Sequence, residues 1–149
     1  MSANRAVTAV AFALGAMVLF VGSGVQAQQN ALDLTTYRDN SFGAHTEAMA
    51  GGKHTVILFS SDYCGFCKNL AVILEDEILR KYGSDIVVSI TDGERDLGAR
   101  QLEEALGVVR YPTVVVLKPD PDRIVVAGRI EGEMPALEVD RIFYNALKP

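Results

Sequence analysis

Tryptophan is absent from this chain of 149 residues, and cysteine and histidine each occur only twice. Two cysteines exclude a multi-disulfide scaffold and a zinc centre built from thiolates alone. Basic residues are sparse as well. Lys plus Arg number 14 against 19 Asp plus Glu, a net charge of −5, and they form no block. Nothing in that balance favours a phosphate backbone or an anionic membrane surface, so no nucleic-acid partner is expected. The chain also lacks an internal repeat, a low-complexity tract, a Gly-rich phosphate loop and a supported Ser/His/Asp constellation, and no cofactor is expected. What is present, 49% apolar and 22% charged residues, suits one globular domain with a real core.

Residues 7–21 are almost wholly apolar and follow a start whose only charged side chain is Arg5. Val25-Gln26-Ala27 then offers small residues where a signal peptidase reads, which predicts a secretory signal over residues 1–27. The other reading is an uncleaved anchor, because residues 6–25 approach the roughly 20 apolar residues that cross a bilayer. Both cysteines fall in the exported portion and would meet an oxidising compartment. Residues 28–40 read as a polar lead-in, and residues 41–149 as the domain.

Within the domain, residues 41–50 predict a short helix stopped by Gly51-Gly52. The run HTVILFS (54–60) is a buried strand by its β-branched, continuous apolar character. A long helix is expected over 69–82, where Leu70, Ile73, Leu74, Ile78 and Leu79 recur at helical spacing. A strand over 85–91, a helix over 98–106 ending at Gly107, and a strand over 113–117 follow. Residues 118–122, rich in Pro and Asp, predict a five-residue hairpin turn into a last strand over 123–128. Pro135 then opens a terminal helix. Strands joined through helices run parallel and a hairpin runs antiparallel, so the expected fold is α/β, a mixed central sheet with helices on both faces. Val56, Leu58, Val87, Val114 and Val116 are the expected core.

Cys64-Gly65-Phe66-Cys67 opens the long helix. There the unpaired N–H groups and the helix dipole favour a thiolate on Cys64, while Cys67, one turn in, is expected to be buried. At pKa 8.5 a thiol is only about 3% ionised at neutral pH, whereas at pKa 7 about half is ionised. Two other readings stay open. A purely structural disulfide over so small a ring yields only about 2 kcal/mol. A metal site would need two further ligands, and His45 and His54, the only histidines, lie upstream without paired spacing. Phe66, between the cysteines, either faces a substrate or packs against the helix start. Pro112 opens a strand, where its missing N–H costs no ladder bond. From base rates alone the Tyr111–Pro112 bond is trans; a cis bond would turn the Tyr111 backbone outward to pair with a substrate.

The quoted segments FSSDYCGFCK and VVRYPTVVVL, with the glycine of Ile130-Glu131-Gly132, resemble the thioredoxin superfamily over about residues 41–148. That resemblance implies a thioredoxin-like fold, Cys64 as attacking thiol, Cys67 as resolving thiol and Pro112 as a cis proline beside them. Tyr63 stands where the family usually has tryptophan, and Lys68 matches the lysine after the motif. One departure bears on mechanism. The family's buried aspartate, six positions before the first cysteine, is Leu58 here, so proton transfer needs water or another group, with Asp62, Glu75 and Asp76 as candidates. Residues 68–111 are too few for the helical insertion of periplasmic oxidases, and the lead-in is too short for an isomerase's dimerisation domain. The resemblance therefore implies a small periplasmic or otherwise secreted thiol–disulfide oxidoreductase, acting as a monomer on client proteins. Its dithiol would be regenerated by a membrane electron donor. Reduction of client disulfides is the expected direction, with a thiol oxidant or isomerase as the alternative; the rival reading from another class is a non-catalytic peptide-binding module with a permanent disulfide.

Overall fold

The computed structural model describes residues 36–149, and the signal segment predicted over 1–27 lies outside the described residues. Among the described residues five strands form one sheet in the order β1-β3-β2-β4-β5. They are β1 (Thr36–Arg38), β2 (His54–Ser60), β3 (Ile86–Asp92), β4 (Thr113–Leu117) and β5 (Val126–Glu131). β1 and β2 both pair parallel with β3, whereas β4 runs antiparallel to β2 and to β5. The sheet is mixed, as the alternation of strand and helix required. Part of the polar lead-in belongs to it, since Thr36 pairs with Val88 and Arg38 with Ile90.

The helices are α1 (Ser41–Ala50), α2 (Gly65–Ile73), α3 (Leu79–Tyr82), α4 (Leu97–Leu106) and α5 (Ala136–Ala146). A π turn over Leu74–Ile78 joins α2 to α3, and the Leu79 N–H reaches back five residues to the Leu74 carbonyl. Leu70, Leu74, Ile78 and Leu79 all stay buried along this composite helix. Residues four apart on a regular α-helix drift around its axis, and the wider turn corrects the drift.

Side chains alternate across the strands. Val56 and Leu58 of β2, with Val88, Val114, Val116 and Ile130, face the larger core beneath α2, α3 and α5. Ile57 and Phe59 face the opposite side, where they meet Ala99 of α4, Val115 and Leu117. Ala44 and Ala48 of α1 pack on Val87 of the same side. Burial of each of the Val, Leu, Ile and Phe side chains contributes about 1.5–3 kcal/mol, which makes the two-sided sheet a rigid platform.

One expectation needs correction. The last strand begins at Val126 rather than at residue 123, because the hairpin is longer than the proline-rich turn alone. Lys118 N–H bonds to the Val125 carbonyl, and Arg123 pairs with Asp120 across the loop at 3.1 Å. The long helix opens at the cysteine pair, as expected: α2 begins at Gly65 with Cys64 as its N-cap, and its first turn is held by that sulfur cap. In α5, Leu137 is exposed while Val139, Phe143 and Ala146 face the core.

The N-terminus of α4 is fixed by Asp96, which is buried. Its Oδ1 accepts the Gly98 and Ala99 N–H groups at 2.9 and 3.1 Å. Its Oδ2 accepts the Ser41 N–H at 2.6 Å and the Thr91 hydroxyl at 2.8 Å. One carboxylate thus ties α1, β3 and α4 together. Burial pushes its pKa up, but these hydrogen bonds outweigh it and hold the carboxyl below the usual carboxylate range.

Candidate active site

Beyond the end of β2 the Cys64 N–H bonds to the Ser61 carbonyl at 3.1 Å, closing a turn that leads into α2. Cys64 is the N-cap of α2, and its Sγ accepts the Cys67 N–H at 3.1 Å. This is the bond a capping oxygen makes with the third amide of a helix. A sulfur there faces unpaired N–H groups and the positive end of the helix dipole, both of which favour the thiolate in the reduced protein. Cys64 is half-buried and Cys67 is only 3% exposed, so the two sulfurs differ in access as their spacing implied. In the structure they form a disulfide, with Cα atoms 5.2 Å apart.

The second element is the loop between α4 and β4. Phe59 pairs with Thr113, so Pro112 and the CxxC turn lie at the same end of the sheet. The Tyr111–Pro112 peptide is cis. The Pro112 carbonyl accepts the Gly132 N–H at 2.8 Å, and the Thr113 hydroxyl donates to the Arg110 carbonyl at 2.8 Å. Arg129 braces the start of the loop by donating to the Leu106 and Gly107 carbonyls at 2.7 and 3.1 Å. The Tyr111 hydroxyl donates to Glu103 Oε1 at 2.6 Å. Burial, then this bond to a carboxylate, pushes the Tyr111 phenol up to about 12. Neither Glu103 nor Arg129 is conspicuous in the sequence, because each meets its partner only through tertiary structure.

Around this end of the fold Tyr63 is fully exposed, Phe66 is 56% exposed and Tyr111 is 40% exposed. Phe66 therefore projects into solvent instead of packing against the helix start. Lys68 is exposed on the first turn of α2. The histidines are elsewhere. His54 begins β2, a full strand of about 20 Å from the end that leads to Cys64, and His45 bonds to Thr55 at 2.8 Å. Neither can complete a metal site with the cysteines.

Beside Cys67 a polar cleft of about 190 Å³ opens, lined among others by Ser60, Asp62, Lys68, Ile90 and Arg95. Arg95 Nη1 lies 2.9 and 2.8 Å from the two oxygens of Asp62, and its Nε lies 2.9 Å from Asp39. Of the three carboxylates singled out in the sequence, only Asp62 lines this cleft. Glu75 pairs with Arg38 and Asp76 with Arg80. Arg95 was not foreseen, because its partners come from the end of β1 and the turn before α2.

Comparison with known proteins agrees with this geometry. The thioredoxin family model matches residues 34–138. A thioredoxin domain-containing protein of Acanthamoeba polyphaga mimivirus is 32% identical over 85 residues, covering 55% of this chain and 25% of that protein. Protein disulfide isomerase-like 1-2 of Oryza sativa subsp. japonica is 32% identical over 78 residues, 51% of this chain and 15% of that protein. The chain thus spans a quarter or less of these curated relatives. Among solved structures, a chloroplastic thioredoxin z superposes with a TM-score of 0.56 at 22% identity, covering 75% of this chain and 94% of that one. The Malassezia sympodialis thioredoxin gives 0.57 at 20% identity, with 75% and 91% covered. Those likenesses establish the fold, and the CxxC pair within it supports thiol–disulfide oxidoreductase activity. On the match that extends from the first strand into the last helix, this chain belongs to the thioredoxin family.

Proposed function

We propose that the protein is an exported thiol–disulfide oxidoreductase that reduces disulfides in client proteins. The observation that carries the reading is the placement of the two sulfurs, one capping α2 within reach of solvent and the other buried one turn behind. In the reduced protein the Cys64 thiolate attacks a client disulfide, and one client sulfur leaves as a thiolate that takes up a proton. The Cys67 thiolate then attacks Cys64 Sγ in the resulting mixed disulfide, releasing the second client thiol. Two electrons have passed to the client, and the Cys64–Cys67 disulfide seen in the structure is left behind. A membrane electron donor restores the dithiol.

The exposed rings of Tyr63, Phe66 and Tyr111 offer a client peptide apolar contact beside Cys64, and the backbone at Tyr111–Pro112 offers it hydrogen bonds. The compact domain, without room for an oxidase-type insertion between Cys67 and Pro112, favours reduction over oxidation. Export rests on the apolar N-terminal segment ahead of both cysteines. Insulin reduction driven by dithiothreitol tests the activity. The wild type is expected to turn over and Cys64→Ser to show only the background rate. Equal rates for the two proteins would leave a binding module with an inert disulfide.

A further inference from the structure

Cys67 must lose its thiol proton before it can attack Cys64, yet it is almost fully buried. Asp92, the carboxylate that ends β3, is 6% exposed, accepts the Glu94 N–H at 2.8 Å, faces Arg95 at 3.9 Å and does not line the cleft beside Cys67. Leu58 is fully buried in the apolar core, and its register partner Ile90 lines the inner part of the cleft beside Cys67. The polar groups are at the rim. Resting on the oxidoreductase reading, we propose that the Cys67 proton leaves through this cleft to Asp62, which Arg95 holds in place at its mouth.

Several observations single out Asp62. Both oxygens of Asp39 are occupied, Oδ1 by the Asp92 N–H at 3.0 Å and Oδ2 by Arg95. Glu75 is engaged by Arg38 at 2.5 Å, and Asp76 is not among the lining residues. Among the described residues Asp62 is held by Arg95 alone, one nitrogen shared between its two oxygens, and its side chain is 62% exposed against 32% for Asp39, so its remaining lone pairs are open to water. The groups that face it across the cleft are the cations Arg38, Lys68 and Arg95 and the carboxylate of Asp39. Asp92 adds a second carboxylate 3.9 Å from Arg95, and within this mainly cationic lining the Asp62 carboxylate is the group placed to accept a proton from water. A volume of about 190 Å³ admits several waters, each needing about 30 Å³, enough to connect thiol and carboxylate.

The transfer is balanced. The proton passes from Cys67 Sγ through water to an Asp62 oxygen, and the Cys67 thiolate forms its bond to Cys64 Sγ. The bond from Cys64 to the client sulfur breaks, the client leaves with the electron pair, and the proton held by Asp62 returns through the same water to that sulfur. Asp62 is ionised again at the end. Arg95 is a positioning residue, acting through the carboxylate it clamps.

Rapid mixing of the reduced protein with a quenched fluorescent peptide disulfide separates two phases, a second-order attack by Cys64 and a first-order resolution by Cys67. Asp62→Asn is expected to slow the first-order phase at pH 7 by at least tenfold or so, short of the roughly hundredfold of a direct proton transfer. The attack phase should be unchanged. The deficit should close above about pH 9, where a thiol ionises unaided, and Asp62→Glu should restore most of the rate. Equal first-order rates at pH 7, or a deficit that persists undiminished at high pH, would overturn the proposal. A wild type with no attack phase would instead remove the oxidoreductase reading, and this proposal with it.

Discussion

Substitution Asp96→Asn probes how the fold holds one side of the site, because Asp96 follows Arg95 directly and anchors the helix behind it. Asparagine can keep its carbonyl oxygen where Oδ1 lies, and so retain the Gly98 and Ala99 capping bonds. Its amide then replaces Oδ2, 2.6 Å from the Ser41 N–H. Two donors now face each other. The Thr91 hydroxyl can rotate to accept, but the Ser41 amide cannot. A buried unsatisfied donor costs about 1–3 kcal/mol, and hydrogen bonds to a charged group are worth about 1.5–3 kcal/mol each. We expect a loss of about 3 kcal/mol, a large fraction of the 5–15 kcal/mol typical of a domain. At a urea slope of about 1.5 kcal/mol/M, the unfolding midpoint should fall by about 2 M with the slope unchanged. The pH dependence carries a second signature. The folded carboxyl lies below its unfolded value, so its stabilisation is complete above about pH 4 and is lost as pH falls through the folded pKa. The gap between wild type and Asn variant should therefore narrow in acid. A midpoint within about 0.3 M of wild type at pH 7, or a gap that widens in acid, would refute the reasoning.

Tyr111→Phe removes the bond to Glu103 but keeps the ring, and it should raise the KM for a protein client about two- to fivefold with kcat little changed, corresponding to about 0.5–1 kcal/mol of lost order in the loop. Steady-state insulin reduction over a range of insulin concentrations reads this split, and an unchanged KM would show that the bond does not shape the loop. Cys67→Ser removes the resolving thiol and should trap clients as mixed disulfides on Cys64, visible as dithiothreitol-sensitive adducts on non-reducing gels. Recovery of no adducts from expressing cells would count against a client-directed cycle.

The strands and helices were legible because their causes are local. Five consecutive buried residues in β2, the alternation that follows from a two-sided sheet, and the glycine at φ +63° after α4 all leave a mark on the sequence. Cys64 and Cys67 were legible for the same reason, since the spacing of the pair and its position between strand and helix are contiguous. Glu103, Arg129 and Arg95 were not. Their partners lie elsewhere in the chain, and a charged residue on a helix or strand reads as solvated surface until the fold supplies its neighbour. The start of β5 was misplaced because proline and aspartate mark a turn without fixing how long the loop runs on. Leu58 was legible as a departure from the family, and Asp62, Glu75 and Asp76 as candidates to replace the missing carboxylate, but only the folded chain shows that Asp62 alone of the three lines the cleft beside Cys67.

The central claim is that the amide groups at the start of α2 make Cys64 acidic, and the most direct measurement is its rate of alkylation by iodoacetamide against pH in the fully reduced protein. Lowering a thiol pKa from 8.5 to 7 requires about 2 kcal/mol of preference for the thiolate, within reach of the charge-assisted bond from the Cys67 N–H together with the helix dipole. The account predicts that the Cys64 rate rises to half its maximum at or below about pH 7.5. A midpoint near 8.5, that of an ordinary cysteine, would contradict it.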